Sequence, residues 1–467
     1  MDVNSALLRR VNPFTSSDFV DQRLFARSQL ILRCLLGSGL KLPSHSASFD
    51  RAFSRFFLND RIDGEHLLAV SADADLRSML ASPLLLVAED TSYFRPASGF
   101  ETFDDGALRS AHDRGYVVHA ASAIDPHTRL PIGWLGARCW TRDQLIHGQN
   151  HKQRPPEDRE SMKWSQLRLQ VREHLEQLQY TGRIVHINDR EGDCWSNFFS
   201  AQQHHHELIV RSCQNRKIEE SPKKLRNYLH RQPRAFDLDL TLKQGGKTPK
   251  RQRETNSRRV VRVQVRYVSV KLQPPRHCSE EQKEAVKMTA IELYEVRPSK
   301  KKKRLHTVLL STIEVKSDEQ VRTLIEWYTA RWGIEVAFDV LKNGLNVEQW
   351  PVQRVQDVRK VLAMSGPVAA QIARWVELSR SDTPPPVSEI LDRNELRMLK
   401  VACRFYAVKE PEEWTIATVV EVLAKIAGAS VTKKRKPGWR VVLRGWELFE
   451  TFRAIRTFRE RPPDHSE

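Results

Sequence analysis

The sequence predicts an α/β protein whose core is interrupted by a β-rich insertion and flanked by helical segments at both ends. Three observations predict this class. Short apolar runs typical of buried strands alternate with amphipathic helices between residues 84 and 210. Segments of period-two alternation follow between residues 215 and 315, and helical spacing of apolar residues dominates both ends of the chain.

The first 70 residues are basic and read as helical, because apolar side chains such as Phe25, Leu32 and Leu36 recur near helical spacing. The core then begins with three strands joined by short turns. In chain order, the predicted core elements are strands Leu84–Ala88, Tyr116–Ala123 and Ile132–Trp140, helix Ser161–Gln179 with Ser161 as its cap, strand Arg183–Ile187, helix Cys194–Gln203 and strand Glu207–Val210.

The insertion carries Val260–Val270 and Met288–Val296, whose alternation is typical of a half-exposed antiparallel sheet. Asp318 opens a long helix that we expect to run to about Asn343. Everything beyond Val361 is predicted to be helical, with a proline-rich loop at residues 384–386.

The charge balance points to nucleic acid as a partner. The 467 residues include 76 Lys and Arg against 58 Asp and Glu, a formal net charge of +18. Basic runs lie at residues 223–226, 250–253, 300–304 and 433–436, although any single run is also typical of a solvated loop.

Several classes of protein are not expected. No apolar run approaches the roughly 18 residues that span a bilayer, and the N-terminal residues lack the apolar stretch of a signal peptide. Six scattered cysteines without a C-x-x-C pair favour a reducing compartment, so we expect a cytoplasmic, nucleoid-associated protein. No glycine-rich phosphate loop indicates NTP hydrolysis, and the run His204–His206 is expected on the surface.

Two carboxylates follow predicted strands. Asp90 comes after the run Leu84–Ala88, and Asp189 comes after Arg183–Ile187. A carboxylate at such a position is expensive to desolvate unless it meets a cation. The alternative is that each aspartate caps the next turn or helix, and for either residue alone that alternative is favoured.

The polar residues of the predicted long helix favour a functional site over the capping alternative. At about 100° per residue, Tyr328, Arg331, Glu335 and Lys342 fall within an arc of roughly 60° on a continuous helix. The alternative is an exposed face with an Arg331–Glu335 pair worth a few tenths of a kcal/mol. Tyr and Trp among the charges, with apolar flanking residues, count against that alternative.

Three carboxylates converging from two strands and a helix would suit Mg²⁺, with Mn²⁺ as a substitute. Asp90, Asp189 and Glu335 are therefore the candidate metal ligands and catalytic residues. Arg331 and Lys342 would hold phosphates of DNA, and Tyr328 could donate its hydroxyl to a phosphate oxygen. Such a set of residues suits the cutting of phosphodiesters.

The spacing Tyr328-x2-Arg331-x3-Glu335-x6-Lys342 resembles the YREK signature of bacterial DDE transposases of the IS-four class, especially its hairpin-forming, cut-and-paste branch. Other segments resemble blocks of that family in the right order. They are residues 88–91 and 189–193 for the two aspartates, 160–164 between them, 208–212 after the second, 445–447 near the C-terminus, and Asp21-x-Arg23-x3-Arg27 in the N-terminal helical domain.

The resemblance implies an RNase H-like mixed-sheet core and a division into five parts. These are a transposon-end DNA-binding domain at 1–70, a first catalytic part at 71–213, a basic β-rich insertion at 214–315, a last catalytic part at 316–365 and a dimerisation domain at 366–467. It also implies cut-and-paste transposition by a homodimer acting on terminal inverted repeats and target DNA, with no membrane. Arg23, Arg27 and Arg211 are further implied DNA contacts.

One residue departs from the family. Thr307 stands where hairpin-forming members carry a tryptophan that stacks a flipped base, so another ring would have to serve or the hairpin step would differ. Two other functions stay open at this point: a catalytically inactive DNA-binding remnant or inhibitor of transposition, and a metal nuclease without strand transfer.

Overall fold

The computed structural model describes residues 12–37, 47–96, 102–108, 112–127, 129, 131–142, 160–243, 258–276, 278–298, 304–381, 384, 386–432 and 436–459. The chain forms two compact units. The first comprises Met1–Gln149, Leu169–Gly182 and Trp332–Glu467, and the second comprises Asn150–Arg168 and Arg183–Arg331. Most of the basic runs at 250–253, 300–304 and 433–436 lie outside the described residues.

The described helices are α1 Gln22–Gly37, α2 Ala47–Phe57, α3 Gly64–Leu76, α4 Lys163–Gln177, α5 Trp195–Gln203, α6 Leu225–Leu229, α7 Asp318–Ala330, α8 Trp332–Asp339, α9 Asp357–Leu378, α10 Arg393–Phe405, α11 Ile416–Ile426 and α12 Trp439–Arg459. The described strands are β1 Leu84–Phe94, β2 Gly106–Ala107, β3 Arg114–Ile124, β4 Pro131–Trp140, β5 Arg183–Asn188, β6 Glu207–Ser212, β7 Phe236–Lys243, β8 Arg258–Leu272, β9 Val286–Glu295 and β10 His306–Ser311.

The first unit is built on an antiparallel group of strands. Strand β3 pairs with β1, β2 and β4, and from Gly115 onward it is buried because its residues are almost all small or apolar. Helices α3 and α9 pack against β4 and against each other, and α9 also contacts α1. N-terminal and C-terminal helices therefore share one core with these strands.

The second unit contains a mixed sheet in the order β5-β6-β10-β9-β8-β7. Strands β5 and β6 are parallel, whereas β6, β10, β9, β8 and β7 pair antiparallel in turn. One face of this sheet forms an apolar core with α5 and α6, including Phe198, Leu225 and Leu229. The predicted β-rich character of residues 214–315 and their antiparallel pairing are thus confirmed.

The predicted α/β class is confirmed, and the predicted core elements form in the predicted order, with the two-residue strand β2 added between the first two strands. Several boundaries also differ by a few residues, and three differences concern the elements near the candidate residues. Strand β1 continues to Phe94 because its pairing with β3 continues to Tyr116. Ser161 lies in a 3-10 turn before α4 instead of capping the helix. The predicted helix from Asp318 to Asn343 ends at Ala330, restarts at Trp332 and becomes a π-helix over Val340–Gly344.

The C-terminal prediction of helices around a proline-containing loop is confirmed by α9 to α12. None of the helices in the described part of the chain is both long enough and apolar enough to cross a membrane.

Candidate active site

Asp90 lies within strand β1, directly after its fully buried stretch, in the first unit. The strand extends four residues beyond it, so the prediction that Asp90 follows the end of a strand is wrong in detail. The carboxylate is half-buried, and Oδ1 accepts the N–H of Thr91 at 2.7 Å. On the neighbouring strand, His119 Nδ1 lies 3.0 Å from Thr91 Oγ1 and is fully buried.

Glu335 lies on α8, which packs against β1, β3 and β4. Gly333 brings this helix close to β3, because a Cβ at that position would lie 2.9 Å from Ile124 Cδ1. The first unit therefore packs the helix that carries Glu335 on the strand that carries Asp90. Glu335 is half-buried, like Asp90.

Lys342 lies in the π-helical segment, and its ammonium reaches back to the end of β1. Nζ donates to the carbonyl of Tyr93, lies 3.6 Å from Glu348 Oε1 and sits 5.5 Å from the ring centroid of Phe94. The single narrow stripe expected for Tyr328, Arg331, Glu335 and Lys342 assumed one continuous α-helix. Arg331 separates α7 from α8 but keeps right-handed helical backbone angles, whereas the segment Val340–Gly344 is a π-helix, so the spacing of a regular α-helix does not apply to Lys342.

Asp189 follows β5 in the second unit and begins the 3-10 turn Arg190–Gly192. Its Oδ1 accepts the N–H of Glu191 at 2.8 Å, so the capping interpretation is confirmed for this oxygen. Among the described residues, the other carboxylate oxygen accepts no hydrogen bond. The carboxylate is half-buried, so capping and cation binding are compatible at this residue.

The second unit gathers Asp189 with three of the other predicted residues. Burial raises the pKa of Tyr328, while Arg331 and Arg211 act to lower it and Asp189 acts to raise it. These charges therefore lie within electrostatic range of the phenol, and Tyr328 shares a side-chain hydrogen bond with Arg331. Arg331 is buried, whereas Arg211 is exposed on β6.

The N-terminal arginines lie together. Arg23 and Arg27 on α1 line an open cavity of about 500 Å³ with Arg55, Ser54 and Asn59 from α2 and the residues that follow it. Arg23 and Arg55 are exposed. Sequence reasoning did not single out Arg55 or Asn59, because only the packing of α2 on α1 places them beside the predicted pair.

Asp193, four residues after Asp189, holds together the chain around it. Oδ2 accepts the backbone N–H groups of Cys213 and Gln214 at 2.7 Å each, and Oδ1 accepts Nε of Arg216 at 2.9 Å. The Asp193 side chain is fully buried and that of Arg216 is 7% exposed. Because Arg216 follows Asp193 by 23 residues, no local sequence pattern indicates that the two side chains pair.

The run His204–His206 is exposed at its first two residues and buried at the third. His206 is buried and its Nδ1 lies 3.3 Å from Nε of Arg168, so the expectation of a surface His204–His206 run is wrong for this residue. Trp332, beside Arg331, is 49% exposed, which is unusual for a large aromatic side chain at the start of a helix. Thr307 is buried on β10, opposite Leu293.

In the described part of the chain, no group of three or more His, Cys, Asp or Glu side chains is placed to hold a metal ion. Asp90 and Glu335 belong to the first unit and Asp189 to the second. No protein-family model matches the chain.

Proposed function

We propose that the protein is a metal-dependent DDE transposase with an RNase H-like catalytic core, which cuts an insertion sequence at its ends and joins them to target DNA. The observation that carries the proposal is the group formed by Asp189, Arg211, Tyr328 and Arg331 in the second unit. One carboxylate and two guanidinium groups within electrostatic range of a phenol are suited to hold a phosphodiester beside a metal ligand.

Asp90, Asp189 and Glu335 are the proposed ligands of Mg²⁺ or Mn²⁺. Their chemistry fits hard divalent ions, since all three are half-buried carboxylates and Asp189 keeps one oxygen outside its hydrogen bonds with described residues. Bound ions would stabilise the attacking and leaving oxygens of the phosphodiester.

The protein's own residues would orient the DNA. The Arg211 guanidinium, which is exposed, would meet a phosphate first, and the buried Arg331 would fix it by charge-assisted hydrogen bonds. Tyr328 stays a neutral donor at physiological pH, because burial raises the pKa of its phenol further. The phenol can therefore donate to a phosphate oxygen. Lys342, tied to the end of β1 and to Glu348, would act by its charge.

Recognition of the element ends would fall to the N-terminal helices. Arg23, Arg27 and Arg55 surround one open cavity, and Asn59 adds an amide that can read a base edge. Trp332 offers an exposed ring for stacking a base, a role that the buried Thr307 cannot take. The family-like pattern also leads us to propose a cytoplasmic homodimer formed through residues 366–467.

The test uses purified protein, Mg²⁺ and a plasmid carrying the DNA that flanks the gene. Wild type should make double-strand breaks at the element ends and join them to target DNA. Glu335→Gln and Asp189→Asn should bind the ends without cutting, since each keeps its shape and loses a metal-ligating charge. The matched controls are Glu326→Gln, at an exposed residue of α7, and Asp239→Asn, at an exposed residue of β7, and both should cut like wild type.

Binding without cutting by the wild type, with Mg²⁺ and with Mn²⁺, would contradict the proposal and favour an inactive DNA-binding remnant. Cutting without joined products would identify a nuclease instead. Hairpin-capped ends would show that the hairpin step proceeds without an aromatic side chain at residue 307, and their loss in Trp332→Ala would identify Trp332 as the ring that stacks the flipped base.

A further inference from the structure

The turn that carries Asp189 is held by a buried amide from the next helix. Asn197, on α5, is fully buried. Its Nδ2 donates to Asn188 Oδ1 at 2.9 Å and to the carbonyl of Gly192 at 2.9 Å. These two acceptors lie on either side of Asp189 in the sequence, so one amide group joins the two ends of the turn.

The turn is tight enough for this bridge because of Gly192. A Cβ at that position would lie 2.6 Å from Cβ of Asn188, closer than side chains tolerate. Backbone hydrogen bonds complete the turn, from Gly192 N to the Asp189 carbonyl at 3.1 Å and from Cys194 N to the Gly192 carbonyl at 2.8 Å.

Arg168 fixes the orientation of that amide. Its Nη1 donates to Asn197 Oδ1 and its Nη2 donates to the Asn197 carbonyl at 3.2 Å. Because the guanidinium can only donate, the oxygen of the Asn197 amide must face Arg168 and the NH₂ group must face the Asp189 turn. Nε of Arg168 also donates to His206 Nδ1 at 3.3 Å, which extends the network to the loop before β6.

We propose that Asn197 is a positioning residue that sets the direction of the Asp189 carboxylate, with Arg168 holding Asn197 in place. This inference rests on the proposed function, since it gives Asp189 a ligand's role. Without the bridge from Asn197, the Asp189 carboxylate would change its orientation whenever the short turn that it begins changed conformation. Second-layer partners of metal ligands commonly change metal affinity or activity by 10- to 100-fold.

The variant Asn197→Asp distinguishes a role of Asn197 in positioning the Asp189 turn from a role in filling space in the core. The substitution keeps the shape of the side chain and keeps an oxygen facing Arg168, where it gains an ion pair. It replaces the NH₂ donor by an oxygen that cannot donate to the Gly192 carbonyl and repels it, so the bridge across the turn is lost even if the Asn188 amide turns its NH₂ group towards the new carboxylate. Asn227→Asp is the matched control, because Asn227 is an exposed asparagine on α6 of the same unit. Asn197→Ser serves if Asn197→Asp does not fold.

Two measurements test the inference. Amide hydrogen exchange of residues 189–193 should be at least 10-fold faster in Asn197→Asp than in wild type and unchanged in the control. Mn²⁺ affinity, followed by electron paramagnetic resonance, should fall about 10- to 100-fold in Asn197→Asp and stay unchanged in the control.

The outcomes separate the inference from the proposed function. Unchanged exchange would show that Asn197 does not hold the turn, and faster exchange with unchanged Mn²⁺ affinity would show that the turn does not position a ligand; either result overturns the inference alone. If wild type neither binds Mn²⁺ nor cuts DNA, the proposed function fails and the positioning role fails with it.

Discussion

Asp193→Asn should strongly destabilise the second unit. The wild-type carboxylate accepts two backbone N–H groups, the hydroxyl of Ser212 and two N–H groups of Arg216. An asparagine has only one acceptor oxygen, so its NH₂ group would face either the backbone N–H groups of Cys213 and Gln214 or the N–H groups of Arg216. Either orientation leaves donors unpaired, and both remove the charge that balances Arg216.

The expected magnitude follows from burial. Removing one partner of a buried ion pair costs about 3–5 kcal/mol, and a buried donor left without an acceptor costs about 1–3 kcal/mol. Arg216 keeps two favourable contacts, with the carbonyl of residue 193 at 2.8 Å and the ring of Phe198 at 5.1 Å. We therefore expect a loss of about 4 kcal/mol in the free energy of unfolding, roughly a thousandfold in the equilibrium constant.

Native-state hydrogen exchange measures this loss locally. Amides of β6 should exchange on the order of a thousandfold faster in the variant, while those of β3 in the first unit should change little. Asp239→Asn, an exposed residue of the same unit, should change the opening free energy by less than about 0.5 kcal/mol. A loss below about 1 kcal/mol in Asp193→Asn would refute the argument that this carboxylate compensates a buried guanidinium.

Three further predictions concern other parts of the chain. Burial raises the pKa of Glu450 from 4.5 to about 7, so the free energy of unfolding of the wild type should fall by about 3 kcal/mol as pH rises from 4.5 to 7. Melting curves of Glu450→Gln should lack this pH-dependent fall, and an equal fall in both proteins would contradict the prediction. Gly366→Ala should lower the free energy of unfolding by about 1–3 kcal/mol, because its Cβ would lie 2.1 Å from Trp134 Cδ1, whereas Gly438→Ala has open space and should be neutral in urea unfolding. Arg23→Ala should weaken binding to element-end DNA and reduce the slope of log affinity against log salt by about 1, and an unchanged slope would show that this arginine touches no phosphate.

Local patterns were enough to predict most elements of the fold. The apolar run from Leu84, the amphipathic helix after Ser161 and the alternating segments of the insertion all form the predicted structures. The hydrophobic periodicity that predicts these elements depends only on residues a few positions apart, and their apolar faces are buried in the folded chain as that periodicity requires. The end of β1 was missed because pairing with β3, not local composition, extends it to Phe94.

The sequence predicts which residues belong to the candidate site, but it does not predict how their side chains are arranged in space. A helical projection treats Tyr328 to Lys342 as one regular α-helix, and it cannot locate the interruption at Arg331 or the π-helix that begins at Val340. Asn197 and Asp193 were missed for a related reason. Their partners lie on separate elements, and a buried polar contact of this kind depends on tertiary packing that no spacing rule encodes.

The position of a bound metal can be mapped directly on the protein backbone. Fe²⁺ bound in place of Mg²⁺, with ascorbate and peroxide, cuts the polypeptide close to its ligands. If Asp90, Asp189 and Glu335 bind one set of metal ions, cuts should appear near residues 90, 189 and 335, be suppressed together by excess Mg²⁺ and be lost together in Glu335→Gln. Cuts confined to one of these segments, or cuts that persist in excess Mg²⁺, would contradict this assignment.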